Sequence, residues 1–253
     1  MKLKFIGTSS GKVSQNRFHS SILVSENDFS FLIDVGDGIT RALIQQEIDI
    51  TKIDSILFTH FHPDHYTGFP SLINQMKMQN RTKPLFVYVI ENDLDYLKDF
   101  LYHSYIFLER LGFKLNYSAF KEEQIIKINE RISITAKQNS HLDKYKIYDE
   151  KNKLTFKTLS LLIESNSGKI FYTSDIGNSI DLNLFNEKID YLITEFSHIN
   201  FSDIYNFYSK SKLKKIFITH YDDELISILN DEINNLSEKE KFQIAYDGLE
   251  VIL

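Results

Sequence analysis

The stretch Thr59-His60-Phe61-His62-Pro63-Asp64-His65 places four side chains able to ligate a metal within six residues, directly after the apolar run Ser55-Ile56-Leu57-Phe58. Four donors on so short a segment do not easily converge on one ion. A turn fixed by Pro63 instead sends His60 and His62 to one ion and Asp64 and His65 to a second, and each site then needs donors from elsewhere in the chain. The chain has no cysteine, so thiolates and disulfides are excluded and the missing ligands are His, Asp or Glu.

Candidates stand where apolar runs end. His141 follows the run around Ile132 to Thr135, Asp175 follows Lys169 to Thr173, and His220 follows Lys215 to Ile218. No other histidine lies between His103 and His198. Residues at strand ends are held rigidly while loops vary around them, which suits reactive groups. A carboxylate has two oxygens, so Asp175 is suited to bridge two ions. Imidazole with carboxylate favours Zn²⁺, with Mn²⁺ or Fe²⁺ as alternatives, over Ca²⁺ or Mg²⁺. A histidine-rich solvated turn accounts for His60 to His65 poorly once His141, Asp175 and His220 follow in order. His19 and His103 read as ordinary surface or core histidines and are left out of the site.

The bulk properties bound the rest. With 253 residues, 42% hydrophobic and 25% charged, the chain is expected to be a folded globular protein, residues 1–253 forming one domain. The formal net charge of −6 argues against a broad nucleic-acid surface, which needs clustered Lys and Arg. The opening residues lack an apolar stretch of signal-peptide length and no run approaches a membrane span, so a cytoplasmic protein is expected.

Short β-branched and aromatic runs alternate with stretches of helical period, a mixed α/β layout. Asn92 to Leu111 reads as a helical insertion with Leu94, Leu97, Leu101, Tyr105 and Leu108 on one face, a lid or a dimer surface. Phe242 to Ile252 reads as one strand. Ile56-Leu57-Phe58-Thr59-His60 and Ile216-Phe217-Ile218-Thr219-His220 echo each other, which suggests two related halves.

The pattern His60-x-His62-x-Asp64-His65, followed in order by His141, Asp175 and His220, resembles the metallo-β-lactamase superfamily over nearly the whole chain. The resemblance implies a four-layer αββα sandwich carrying two Zn²⁺, with the metals between the sheet edges. It also gives Asp34, in Leu32-Ile33-Asp34-Val35-Gly36, the part of supporting the metal loop from behind. Within the superfamily, Gly7-Thr8-Ser9-Ser10-Gly11, Arg17 to Ser21 and Gly68-Phe69-Pro70 resemble the ribonuclease Z branch and its phosphodiesterase relatives. That narrower resemblance implies a homodimer, and it casts Glu195 and His198 as a pair assisting proton transfer, here closer in sequence than the branch usually has them.

The chemistry expected is hydrolysis. Two ions about 3.5–4 Å apart lower the pKa of a bridging water and clamp phosphoryl oxygens. Asp64, Glu195 and His198 are the expected catalytic residues, His198 serving the leaving oxygen. The substrate class expected is a small nucleotide phosphodiester, with cyclic nucleotides among the candidates. His141 and Asp175 are only 34 positions apart and read as filled largely by strand, whereas the transfer RNA processing members carry a long arm there. A transfer RNA 3′-end endonuclease is the alternative, then a lactonase or thioesterase, since the same site attacks carboxylic esters. A non-catalytic binding protein is disfavoured by the intact ligand set.

Overall fold

β-Branched and aromatic runs form the strands and the 3.6-period stretches form the helices, each element burying the face its pattern marks. The computed structural model describes Met1–Leu253 and comprises two compact units, Met1–Lys121 with Tyr246–Leu253, and Glu122–Ala245.

In the first unit the strands are β1 (Lys2–Gly7), β2 (Ser21–Glu26), β3 (Phe29–Ile33), β4 (Ser55–Leu57), β5 (Leu85–Ile90) and β6 (Leu115–Phe120), and its helices are α1 (Ile39–Gln45), α2 (Pro63–Tyr66), α3 (Phe69–Met78) and α4 (Leu94–His103). The second unit holds β7 (Ile125–Lys127), β8 (Ser133–Gln138), β9 (Leu159–Ser165), β10 (Gly168–Tyr172), β11 (Tyr191–Glu195), α5 (Phe201–Lys210), β12 (Lys215–Thr219), α6 (Ile226–Asn234) and β13 (Phe242–Ile244). A last strand, β14 (Glu250–Ile252), belongs to the first unit.

The first sheet is seven-stranded in the order β14-β1-β2-β3-β4-β5-β6. Its pairings are antiparallel from β14 to β3 and parallel from β3 to β6. Parallel neighbours need a crossover, and the four helices supply them. The helix α3 buries Phe69, Leu72, Ile73 and Met76, an i, i+3, i+4, i+7 stripe laid on the core. β4 is buried at all three positions, as a central parallel strand should be.

The second sheet is also seven-stranded, in the order β13-β12-β11-β10-β9-β8-β7. It is antiparallel from β7 to β10 and parallel from β10 to β13. Each half of an αββα sandwich, a mixed sheet with its helices, is therefore present. The run β8 to β13 repeats the pairing pattern of β1 to β6: antiparallel twice, then parallel three times. On that correspondence β4 matches β11, whereas the Thr-His echo joins β4 to β12. The echo in sequence is thus not the repeat in topology.

Three element boundaries differ from the sequence reading. The segment Asn92 to Leu111 is the crossover between the parallel strands β5 and β6. Its helix stops at His103, because Tyr105 takes a left-handed φ of 58°. Leu97 and Leu101 are buried, whereas Tyr105 is 83% exposed and Leu108 46%. Phe242 to Ile252 is two strands in two sheets, separated by a turn at left-handed Gly248, so the chain ends by rejoining the first sheet. Between His141 and Asp175, strand begins only at Leu159, and Asp143–Tyr148 is 3₁₀ helix.

Candidate metal centre

In the first unit, the chain leaving β4 runs through Thr59 to His62 and enters α2 at Pro63, whose missing N–H costs nothing at a first helical position. Behind it, Asp34 ends β3 in a left-handed conformation, φ 62°, uncommon for a residue other than glycine. Its buried carboxylate accepts from Thr59 N at 2.8 Å and Thr59 Oγ1 at 2.7 Å, and pairs with His65 Nδ1 at 2.8 Å. Burial pushes the Asp34 carboxyl above its ordinary range, and His65 and Thr59 pull it back. With the His65 hydrogen given to Asp34 from Nδ1, the lone pair lies on Nε2, which faces Asp64 Oδ2 at 3.5 Å. His60 and His62 offer nitrogens within 4.8 Å of each other. The loop is threaded tightly: Ser20 N donates to Asp64 O at 3.1 Å and Val35 N to His65 O at 2.7 Å. A Cβ on Gly36 would fall 2.1 Å from Asp64 O, so only glycine fits there.

In the second unit, the two oxygens of Asp175 address two different imidazoles. Oδ2 lies 3.8 Å from His141 Nε2 and Oδ1 lies 3.4 Å from His220 Nε2. Donors on one tetrahedral zinc ion, at bonds of about 2.0–2.1 Å, sit about 3.3 Å apart. The 3.4 Å of Asp175 to His220 and the 3.5 Å between Asp64 and His65 match that spacing, and the 3.8 Å of Asp175 to His141 is about 0.5 Å longer. Ser174 and His220 take left-handed φ values of 53° and 49°, sharp turns at the ends of β10 and β12 beside the candidate ligands Asp175 and His220.

Glu195 closes β11 with a buried carboxylate. Its Oε2 accepts from the backbone N–H groups of Ser197 and of His198, the latter at 2.9 Å, and its Oε1 lies 3.2 Å from His198 Nδ1. The His198 ring is edge-on to His141 at 4.6 Å and stacked over His220 at 6.3 Å.

Within each unit, then, the predicted residues meet: His60 with His62 and Asp64 with His65 in the first, and His141, Asp175, His220, Glu195 and His198 in the second. The donors are imidazole and carboxylate throughout, and all seven are buried apart from half-buried His62, so the set fits divalent transition-metal ions. His103 instead spends Nδ1 on Asp99 O of its own helix at 2.8 Å. Three residues given no part by the sequence reading surround the candidate ligands: Thr59 on Asp34, and Asn139 and Asp181 on the loops of His141 and Asp175. Thr59 is adjacent to the motif and was open to notice. Asn139 and Asp181 act across 36 and 41 residues and leave no local signal.

A family model described as Anti-Pycsar protein Apyc1 matches residues 1–241. Ribonuclease Z of Methanococcus maripaludis (strain C5 / ATCC BAA-1333) is 36% identical over 107 residues, 41% of this chain and 34% of that protein, so the match spans about a third of the relative's length. The solved metallo-beta-lactamase fold protein YhfI from Bacillus subtilis has a TM-score of 0.77 at 19% identity, covering 99% of this chain and 98% of that one. Zn(2+)-bound PqqB from Methylobacterium extorquens has a TM-score of 0.72 at 14% identity, covering 100% of both chains. The two structural likenesses show the fold, the α/β metallo-β-lactamase fold that the ligand motif resembles.

Proposed function

We propose that this chain, which belongs to the Anti-Pycsar protein Apyc1 family, is a cytoplasmic metal-dependent phosphodiesterase of small nucleotides, cyclic nucleotides among them. The candidate ligands that would hold two ions are His60, His62, Asp64 and His65 in the first unit and His141, Asp175 and His220 in the second. The observation that carries this reading is Asp175, whose two oxygens stand at ligand spacing from two different imidazoles. Two ions at these donors, Zn²⁺ or alternatively Mn²⁺ or Fe²⁺, supply Lewis acidity and make water nucleophilic near neutral pH.

The chain's own residues do the rest. Asp34 fixes the ring of His65 and so the direction of its Nε2. Glu195 Oε1 lies 3.2 Å from His198 Nδ1 and so orients the ring, whose Nε2 edge would carry the transferable proton. As water adds to phosphorus and the bond to the leaving oxygen breaks, that proton passes to the leaving oxygen, while the proton lost by water goes to solvent. Proton delivery of this kind contributes about 10²–10⁴-fold. A carboxylic ester has less need of it, which favours a phosphodiester substrate over a lactone. The acidic net charge of −6 supports a small substrate over a folded RNA. Membership of a ribonuclease Z-like branch also carries the proposal of a homodimer, with exposed Tyr102, Tyr105 and Leu108 as contact candidates; sedimentation equilibrium returning a monomer would remove it.

The test is hydrolysis by zinc- or manganese-loaded protein of bis-p-nitrophenyl phosphate, cyclic mononucleotides, a precursor transfer RNA and a simple lactone, beside Asp64→Ala. Metal-dependent turnover of cyclic nucleotides, lost in the variant, is expected. Cleavage of the precursor transfer RNA alone would establish the endonuclease reading, the alternative that the ribonuclease Z likeness raises. Lactone turnover alone would sink both.

A further inference from the structure

Two buried polar side chains outside the ligand set pin the loop of His141 to the loop of Asp175. Asn139, 3% exposed, accepts at Oδ1 from the His141 N–H at 3.0 Å. Its Nδ2 donates to Asp175 O at 2.9 Å, Ser160 Oγ at 3.0 Å and Thr173 O at 3.3 Å. Two hydrogens serve three acceptors, and Ser160 Oγ relieves the shortage by donating to Thr173 O at 2.7 Å. Left-handed Ser174 is the bend that brings the carbonyls on either side of it to one amide.

On the other flank Asp181, 6% exposed, accepts from Ser140 Oγ at 2.7 Å, Ser140 N at 3.2 Å and Gly177 N at 2.9 Å. A Cβ on Gly177 would fall 2.3 Å from Ser140 Oγ, so the two loops meet with no room for a side chain. The residues so fastened are Asn139 and Ser140, the two before His141, and Gly177, two after Asp175. His220 is held separately, through Ser197 Oγ and Phe196 N on its carbonyl at 2.8 and 3.2 Å.

We propose that Asn139 and Asp181 are positioning residues that set the separation of His141 from Asp175 and thereby the affinity for the ion these two share. The inference rests on the reading of Asp175 as a ligand common to both ions. Outer partners that orient metal ligands typically contribute about 10–100-fold in affinity. Because His220 has its own supports, loosening this clamp weakens the ion at His141 more than the ion at His220.

The experiment is competition of Zn²⁺-loaded protein against a chromophoric chelator, with visible absorption of the Co²⁺-substituted protein as a second readout. Asn139→Ala is expected to release one ion about 10–100-fold more readily than wild type, leave the other near its original position, and alter the Co²⁺ bands. Asp181→Asn, which keeps the shape and one acceptor, should shift the same ion by less. Asp175→Ala tests the underlying reading and should lose both ions. If Asp175→Ala keeps two tight ions, the shared-ligand reading fails and the inference with it. Where Asp175→Ala loses its ions but Asn139→Ala and Asp181→Asn, folded by circular dichroism, bind both at wild-type affinity, the positioning role alone is overturned. Should Asn139→Ala fail to fold, Asp181→Asn decides.

Discussion

His198 meets the carboxylate of Glu195 at two points. Its Nδ1 and its backbone N–H both address the buried carboxylate of Glu195, so its free ring edge has one direction. His198→Ala is expected to lower kcat by about 10²–10⁴-fold while bound metal per chain, measured by atomic emission, stays at the wild-type level. A fall in metal content would instead make His198 a ligand. Asp34→Asn is expected to act on affinity. The variant keeps an acceptor for Thr59 but loses the charge on His65 Nδ1, and metal affinity by calorimetric titration should fall about 10–100-fold.

At the scale of elements, the helix α4 separates packing from surface. Leu101→Ala, in the buried stripe, should cost about 2–5 kcal/mol of unfolding free energy, and Tyr105→Ser, on the exposed turn, within about 0.5 kcal/mol. Urea midpoints would show the contrast. In the second sheet Asp190 ties β10 to β12. Its carboxylate accepts from Lys169 N at 3.0 Å and faces Lys214 Nζ at 3.1 Å, while its carbonyl accepts from Lys214 N at 2.7 Å. The Lys169 N–H and the Lys214 ammonium hold the carboxyl below its usual range. A carboxyl depressed in the fold stabilises in full above its unfolded pKa, and the contribution is lost as pH falls through the folded value. Asp190→Asn should therefore flatten the decline of stability below about pH 4, read from urea midpoints between about pH 5 and 2. An unchanged slope would show that the ion pair and hydrogen bond contribute nothing.

For the whole molecule, the return of β14 makes the first unit discontinuous in sequence. β14 pairs with β1, and Asp247 accepts from Phe18 N at 2.6 Å and Thr8 Oγ1 at 2.7 Å. Asp247→Ala leaves two part-buried donors without that acceptor and should cost about 1–3 kcal/mol by chemical denaturation. Ligands that bind only the folded chain stabilise it by mass action, about 2.7 kcal/mol at a hundredfold excess over Kd. Stripping metal with a chelator should lower Tm and restored Zn²⁺ should raise it again; a Tm indifferent to both would remove metal from the account. No helix is long and apolar enough to cross a membrane.

The sequence by itself determined the fold family and a set of ligand candidates, because donors must be side chains of particular chemistry and four of them are packed into His60 to His65. It also placed Asp34, Asp175, Glu195 and His220 at strand ends, since β-branched runs and the residues after them are local patterns. Tertiary structure alone decided what lies between distant segments. Asn139 and Asp181 reach across 36 and 41 residues, and hydrogen bonds of that span leave no periodicity to read. The breaks at Tyr105 and Gly248 come from left-handed backbone that apolar patterning does not encode, and they divide what read as one helix and one strand. Whether Phe242 to Ile252 serves one sheet or two depends on which strand edges are open to pair, and only the assembled sheets settle that.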